Sequence, residues 1–396
     1  MRMKWGVSAL PRWRMPAFYF LHFFNVGVFL PFLNIYYHSV GIVPAQLGFL
    51  NAAARLSTSV APPVAGAIAD KLRCGREIML VCVAAGSLIA LAMWGARSFW
   101  ALLILVAAYA AARGAVGPIA ENALLREIEE HGGQYGRVRW WGSLGFIVAA
   151  LGAGRLIDAY SVGLIFLIVF CGGIALMGVV VRFPREWGGA RTQFRGDLRK
   201  LLRSRPLLNF YGASLLMALS AGPFGLYFSI YLRELGLSAV FIGFAWTVGV
   251  VSEIFFFVFA ENIQRRVGLK AMIAAGIFAT SLRWELVSLT TSGVLLVAIQ
   301  ALHGITFGVY HAAAVQYVDR LSGEAIKNTG QALYTAATFG GGATIGVLLA
   351  GWLLPSLGFV RLMQVGAGIA LAAGAWFVIS SGLAKEEDEV RTASQE

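Results

Sequence analysis

The feature that most constrains this chain is how rarely charge interrupts it. Apolar stretches long enough to cross a bilayer follow one another nearly from end to end. A helical span needs about 20 mostly apolar residues, because a rise of roughly 1.5 Å per residue must cover about 30 Å of hydrocarbon. A chain of 396 residues has room for two or three soluble domains, but 58% apolar and 13% charged residues leave too little polar surface to cover them. The first apolar run, Met15 to Tyr36, is too long for the core of a signal peptide and lacks a small-residue cleavage pattern, so it reads as a retained span. Cys74, Cys82 and Cys171 are scattered singly and suggest neither a metal site nor a disulfide framework.

The pattern predicts an all-α membrane protein with twelve spans, at 15–37, 44–69, 77–96, 98–122, 136–157, 161–182, 206–232, 238–261, 270–290, 293–318, 328–354 and 359–382. A net charge of +12 would hint at nucleic acid in a soluble protein, so the placement of the basic residues decides. Of 32 Lys and Arg, 25 fall in the two tails and the loops joining even to odd spans. Arg97, Arg155, Arg233 and Arg361 lie near the opposite face, and Arg55, Arg113 and Arg283 lie inside spans. Such asymmetry is the positive-inside pattern of a multi-pass inner-membrane protein with both termini cytoplasmic, and no nucleic-acid partner is needed.

Two halves are expected, residues 1–182 and 206–396, each a six-helix bundle. The polar stretch 183–205 between them is basic and carries a helix-breaking Gly188-Gly189 pair. It reads as a cytoplasmic linker, anchoring topology or holding anionic headgroups. Shifting the sequence on itself by 195 positions sets Phe32, Ile35, Tyr36, Gly41, Gly48 and Phe49 opposite Tyr227, Ile230, Tyr231, Gly236, Gly243 and Phe244. A repeat of six spans keeps its orientation, so the bundles are related by an axis along the membrane normal.

The loop after span 2 runs Gly66-Ala-Ile-Ala-Asp70-Lys71-Leu72-Arg73-Cys74-Gly75-Arg76. A Gly, an Asp four residues on and a basic cluster around a second Gly resemble the signature of the major facilitator superfamily. That resemblance implies a gating loop in which Gly66 allows close helix approach, Asp70 caps or pairs, and Arg73, Gly75 and Arg76 anchor the cytoplasmic face. The second-half copy, Glu261 to Gly268, keeps the acid and a basic pair but has Phe257 in place of the Gly. Arg113 and Gly117 match the family's span-4 signature in part, with Val116 where a Gln is usual. Span 5 has Gly142, Gly145, Gly152 and Gly154 but no Pro, which favours symport over drug-type antiport within the family.

A charge at the bilayer centre costs roughly 2.5–3.5 kcal/mol on insertion scales, so each one invites pairing or function. The first half offers His22, Asn25, Arg55, Arg113 and Glu121, and the second Glu253, Arg283, Gln300, His303 and His311. Arg113 and Glu121 stand about 80° apart on their helix, as do His303 and His311, so each pair can face one cavity. Glu253 is the candidate protonation site, since burial favours the neutral acid and a neighbouring Arg283 the carboxylate. His303 or His311 can share the proton. His22 has a second reading, as a packing residue beside Asn25, and Arg55 can pair with Glu121 or Glu253.

Acid, Arg and His on spans 8, 9 and 10 resemble the proton relay of the lactose permease group, although Thr306 and Phe307 stand where that relay has a further acid. A closer resemblance is to the branch that holds phenylpropionate permeases and nucleoside-proton symporters. It rests on Tyr135 to Ser143, Gly249 to Glu253, Arg283-Trp284, and His303 to Gly308 with His311. The resemblance implies no enzyme, no metal and no cofactor beyond a proton gradient, and a monomer that moves a small solute with protons by alternating access. The solute is expected to be an organic anion such as an aromatic carboxylate, with His22, Asn25, Arg113, Glu121, Tyr227, Trp246 and Gln300 binding it and Glu253, Arg283, His303 and His311 coupling. A nucleoside or sugar, or efflux by antiport, are the alternatives. No nucleophile-and-base set or metal cluster at helical spacing points to an intramembrane enzyme.

Overall fold

The computed structural model describes residues 13–72, 74–132, 134–184, 201, 203–323 and 326–382; almost all of these are helical, with no strand among them. The first six predicted spans are single helices: α1 Arg14–Ser39, α2 Pro44–Leu72, α3 Gly75–Gly95, α4 Phe99–His131, α5 Tyr135–Ala159 and α6 Leu164–Val180. Most of the expected linker 183–205 lies outside the described residues.

The second half is more broken. The seventh predicted span is two helices, α7 Arg205–Ser220 and α8 Gly222–Glu234, interrupted at Ala221 and followed by Pro223. Helix α9, Ala239–Ser288, covers two predicted spans in 50 residues and turns at Gly268, whose φ of 77° belongs to the left-handed region that glycine tolerates. Helix α10, Gly293–Gln300, leads through a π-helical segment, Gly304–Val309, into α11, Tyr310–Ser322. Helix α12, Lys327–Thr335, is followed by a second π segment, Ala336–Gly342, and by α13, Ala343–Ser381, which turns at Gly358.

Among the described residues, eight helices are long and apolar enough to cross a membrane, and Ile104, Val258 and Ile379 expose their side chains as lipid-facing residues do. The chain is a multi-pass membrane protein. The internal repeat has a structural counterpart: Gly41 and Gly236, 195 positions apart, take φ of 87° and 79° in the first turn of each half.

Two compact units form. One holds the described residues up to Leu30 and from Ser57 through the end of α6; the other holds Pro31–Leu56 and the described residues from 201 onward. The unit boundary therefore cuts α1 and α2, where the sequence places them whole in the first half. Close packing explains the assignment: Gly48 stands against the carbonyl of Val347, and Asn34 Nδ2 donates to the carbonyls of Gly225 and Leu226 at 3.2 and 2.9 Å. In the first unit, Phe18, Met79, Val83, Val116 and Leu176 fill the core, and Gly145 of α5 lies against the backbone of Phe20. In the second, Phe210, Ile273, Ile277, Tyr310, Tyr334 and Phe377 do so. Small residues at such crossings allow the close approach on which helix association in lipid depends.

Candidate functional site

Two polar clusters occupy helix interiors, one in each unit. In the second unit Arg283 is 4% exposed and sits on the second leg of α9. Its Nη2 donates to Gln300 Oε1 at 2.5 Å, and its Nη1 to Thr306 Oγ1 at 3.3 Å. The same Nη1 is 3.0 Å from His303 Nδ1. The guanidinium carbon lies 4.7 Å from the ring centre of Phe224 and 4.9 Å from that of Trp284, so two aromatic faces help to hold a charge removed from water. On the other side of His303, Nε2 is 3.7 Å from Glu253 Oε2, beyond a hydrogen bond but close enough for strong charge interaction. The order in space is therefore Glu253, His303, Arg283, with the imidazole as the intermediary. The sequence expects Arg283 to act on Glu253 directly; the structure inserts His303 between them.

A guanidinium has only donors. Facing Arg283, Nδ1 of His303 must accept, so the proton of the neutral ring stands on Nε2, toward Glu253. His303 stacks on Phe307 at 5.5 Å, and Phe307 on His311 at 5.3 Å. The three rings form one column alongside the π winding of Gly304–Val309. His311 is 3.3 Å from the Tyr334 hydroxyl.

Three residues of this unit expected to meet the solute have protein partners. Gln300 is 2% exposed, and its amide is engaged by Arg283 and by the Leu296 carbonyl at 2.7 Å. Tyr227 is buried and donates to Glu234 Oε1 at 2.6 Å, at the far end of α8. Trp246 donates from Nε1 to Ser229 Oγ at 3.0 Å, with its ring 5.9 Å from Phe224. Arg55 reaches Gly225 of α8, where a Cβ would lie 3.3 Å from its Nη2.

In the first unit Glu121 accepts two short hydrogen bonds, from Tyr19 at Oε2 and from Tyr135 at Oε1. The Arg139 guanidinium covers Phe23 at 4.1 Å and approaches Tyr19 at 5.9 Å. Arg113 instead donates from Nη2 to the His22 carbonyl at 3.2 Å. Arg113 and Glu121 thus have separate partners, and no carboxylate among the described residues forms an ion pair with Arg113. His22 stacks on Phe18 at 5.6 Å, and its buried Nδ1 has no hydrogen bond among the described residues. Asn25 is fully buried, donates to the Leu21 carbonyl at 2.8 Å and presses on Gly172 of α6.

The loop after α2 is described in part. The side chain of Asp70 and the whole of Arg73 lie outside the described residues. Among the described residues nothing stands within 4 Å of the place a Cβ of Gly66 would take, so none of them makes the close approach expected there. Gly75 is buried as the first residue of α3, and Arg76 reaches Glu77 at 2.9 Å and the Phe183 carbonyl at 3.3 Å.

Sequence reasoning missed Tyr19 and Phe224 as partners, and named Thr306 without its contact to Arg283. Tyr135, Arg139 and Trp284 stood inside stretches that carried the resemblance, but nothing in them named Glu121, Phe23 or Arg283 as what they touch.

Known proteins agree with this architecture. Residues 12–365 match the model of the MFS_1 like family. The maltose permease of Geobacillus stearothermophilus is 30% identical over 356 residues, 89% of each chain. The probable 3-phenylpropionic acid transporter of Escherichia coli is 28% identical over 348 residues, 86% of this chain and 90% of that one. Among solved structures, a mutant form of the nucleoside transporter NupG superposes with a TM-score of 0.83 at 17% identity, covering 93% of this chain and 99% of that one, and so shares the fold. The chain belongs to the MFS_1 like family, and it is a major facilitator transporter, not an enzyme.

Proposed function

We propose that this protein is a proton-coupled symporter of a small organic anion such as an aromatic carboxylate, working by alternating access between two six-helix halves. The observation that carries the coupling is the placement of His303, whose Nδ1 is 3.0 Å from Arg283 and whose Nε2 is 3.7 Å from Glu253. A proton entering at Glu253 removes the negative charge that His303 Nε2–H faces. A proton entering at His303 Nδ1 has to displace Arg283, because two donors cannot share one contact. Either way the protonation state decides whether the chain from α9 to the π segment is held or released, and that is what coupling requires.

The anion is supported by Arg113, a cation within α4 that donates to a backbone carbonyl while both oxygens of Glu121 are engaged by tyrosines. A phenylpropionate transporter among the relatives fits this reading. A sugar or nucleoside is the second reading, favoured by the maltose permease and by the shared fold of the nucleoside transporter.

The same proposal has twelve spans in the inner membrane, with both termini cytoplasmic and the protein monomeric. The eight long apolar helices give ten once those of 50 and 55 residues are divided at Gly268 and Gly358, and α2 and α6 complete twelve. The test is uptake into right-side-out membrane vesicles of labelled 3-phenylpropionate, maltose and uridine, with and without an imposed pH gradient. Phenylpropionate should accumulate only with the gradient. Equal filling with and without it contradicts coupling, and accumulation of maltose or uridine alone selects the second reading.

A further inference from the structure

The π segment begins one residue after His303, and the backbone there does not satisfy itself. Both Ile305 N–H and Thr306 N–H turn to the carbonyl of Leu302, at 3.0 and 2.9 Å. The carbonyl of Ala301 is passed over, apart from a long 3.4 Å contact from Gly304 N–H. A backbone carbonyl without a partner in a membrane interior is costly, so something else has to fill the gap.

Ser252 of α9 fills it. Its hydroxyl donates a short hydrogen bond to the Ala301 carbonyl and accepts one from Gly304 N–H at 3.2 Å. One hydroxyl thus bridges both sides of the break. The fit is close: a Cβ on Gly304 would collide with Ser252 Oγ and with the ring of Phe256, and His303 Cδ2 lies 3.5 Å from the Cβ position of Gly249. Ser252 also precedes Glu253 in the chain, so the residue that fixes the backbone around His303 is covalently tied to the acid His303 faces.

We infer that Ser252 is a positioning residue for proton coupling, a splint across the break before the π segment that sets where His303 stands between Glu253 and Arg283. This rests on the coupling role proposed for those three residues. Alanine at this position leaves the Ala301 carbonyl and the Gly304 N–H with only their long 3.4 Å contact to one another, and the break can wind into regular helix, turning His303 away from its two partners. Threonine keeps the hydroxyl.

The test compares wild type, Ser252→Ala, Ser252→Thr and Glu253→Gln in vesicles, with amide hydrogen exchange on the purified proteins. Ser252→Ala should lower gradient-driven accumulation by about tenfold, the scale expected when buried backbone groups lose a partner. It should also displace the pH profile of uptake, keep counterflow exchange, and speed amide exchange at residues 301–306 above that of the neighbouring helices; Ser252→Thr should restore accumulation, pH profile and amide protection. An unchanged pH profile in Ser252→Ala, alongside a Glu253→Gln variant that no longer accumulates, overturns the inference and leaves the coupling intact. Unchanged exchange at 301–306 also overturns it. If wild-type uptake ignores the gradient, the coupling reading fails, and amide exchange alone then decides for or against the splint.

Discussion

Each unit holds an arginine in the apolar length of a helix, Arg283 in one and Arg113 in the other, and the two have different surroundings. Arg283 is wrapped by side chains: Gln300, Thr306, His303 and the rings of Phe224 and Trp284. Arg113 donates to the His22 carbonyl and hydrogen-bonds the side chain of Tyr109, and the acid two turns along its own helix is engaged by other tyrosines. A guanidinium whose contacts are side chains can be gained or lost as those side chains change protonation or rotamer. One held by a backbone carbonyl and a phenol, neither of which neutralises its charge, keeps that charge available to an arriving anion. Under the proposed function, the second unit responds to a proton and the first holds the solute.

The change expected to break this contrast most severely is Arg283→Lys. An ammonium keeps the charge but cannot place donors on Gln300, Thr306 and His303 in the same plane, nor stack between Phe224 and Trp284. Each buried acceptor left open costs about 1–3 kcal/mol, so uptake should fall to background and the melting temperature in detergent should drop. Near-normal uptake would mean that charge alone matters there.

Glu121→Gln comes next. An amide presents a single oxygen where the carboxylate presents two, so one of Tyr19 and Tyr135 loses its acceptor, at roughly 1–2 kcal/mol. The KM for solute should rise severalfold while the pH profile keeps its shape. A displaced profile would put Glu121 in coupling and erase the division of labour.

Tyr227→Phe should matter least. Its hydroxyl meets Glu234, an exposed residue at the end of α8, so the loss is within about 1 kcal/mol and uptake should stay close to wild type. A collapse of uptake would put Tyr227 in the solute path.

Much of the fold is legible in the sequence because its causes are local. Apolar length announces a span, and Gly41 and Gly236 announce matching turns through the left-handed backbone that glycine permits. Glu253, Arg283 and His303 are legible as a group because charge inside a span is rare enough to draw attention by itself. What stays hidden depends on the meeting of distant segments. Gln300 looks like a free hydrogen-bonding residue in the sequence until α9 sets Arg283 beside it. The breaks at Ala221 and after Gln300 carry no proline at the break itself, and the π winding next to His303 depends on a hydroxyl supplied from another helix. The membership of Pro31–Leu56 in the second unit follows from packing at Gly48 and Asn34 that no local pattern encodes.

The proposal that solute and proton move together through the Glu253–His303–Arg283 chain meets its sharpest test in the external pH of a weakly buffered vesicle suspension when 3-phenylpropionate is added as its salt. Wild-type vesicles should make the medium more alkaline as the anion enters with protons, and Glu253→Gln vesicles should not, although they still exchange labelled for unlabelled solute. Entry of solute into wild-type vesicles with no movement of protons, or an equal alkaline shift in Glu253→Gln, would contradict that coupling.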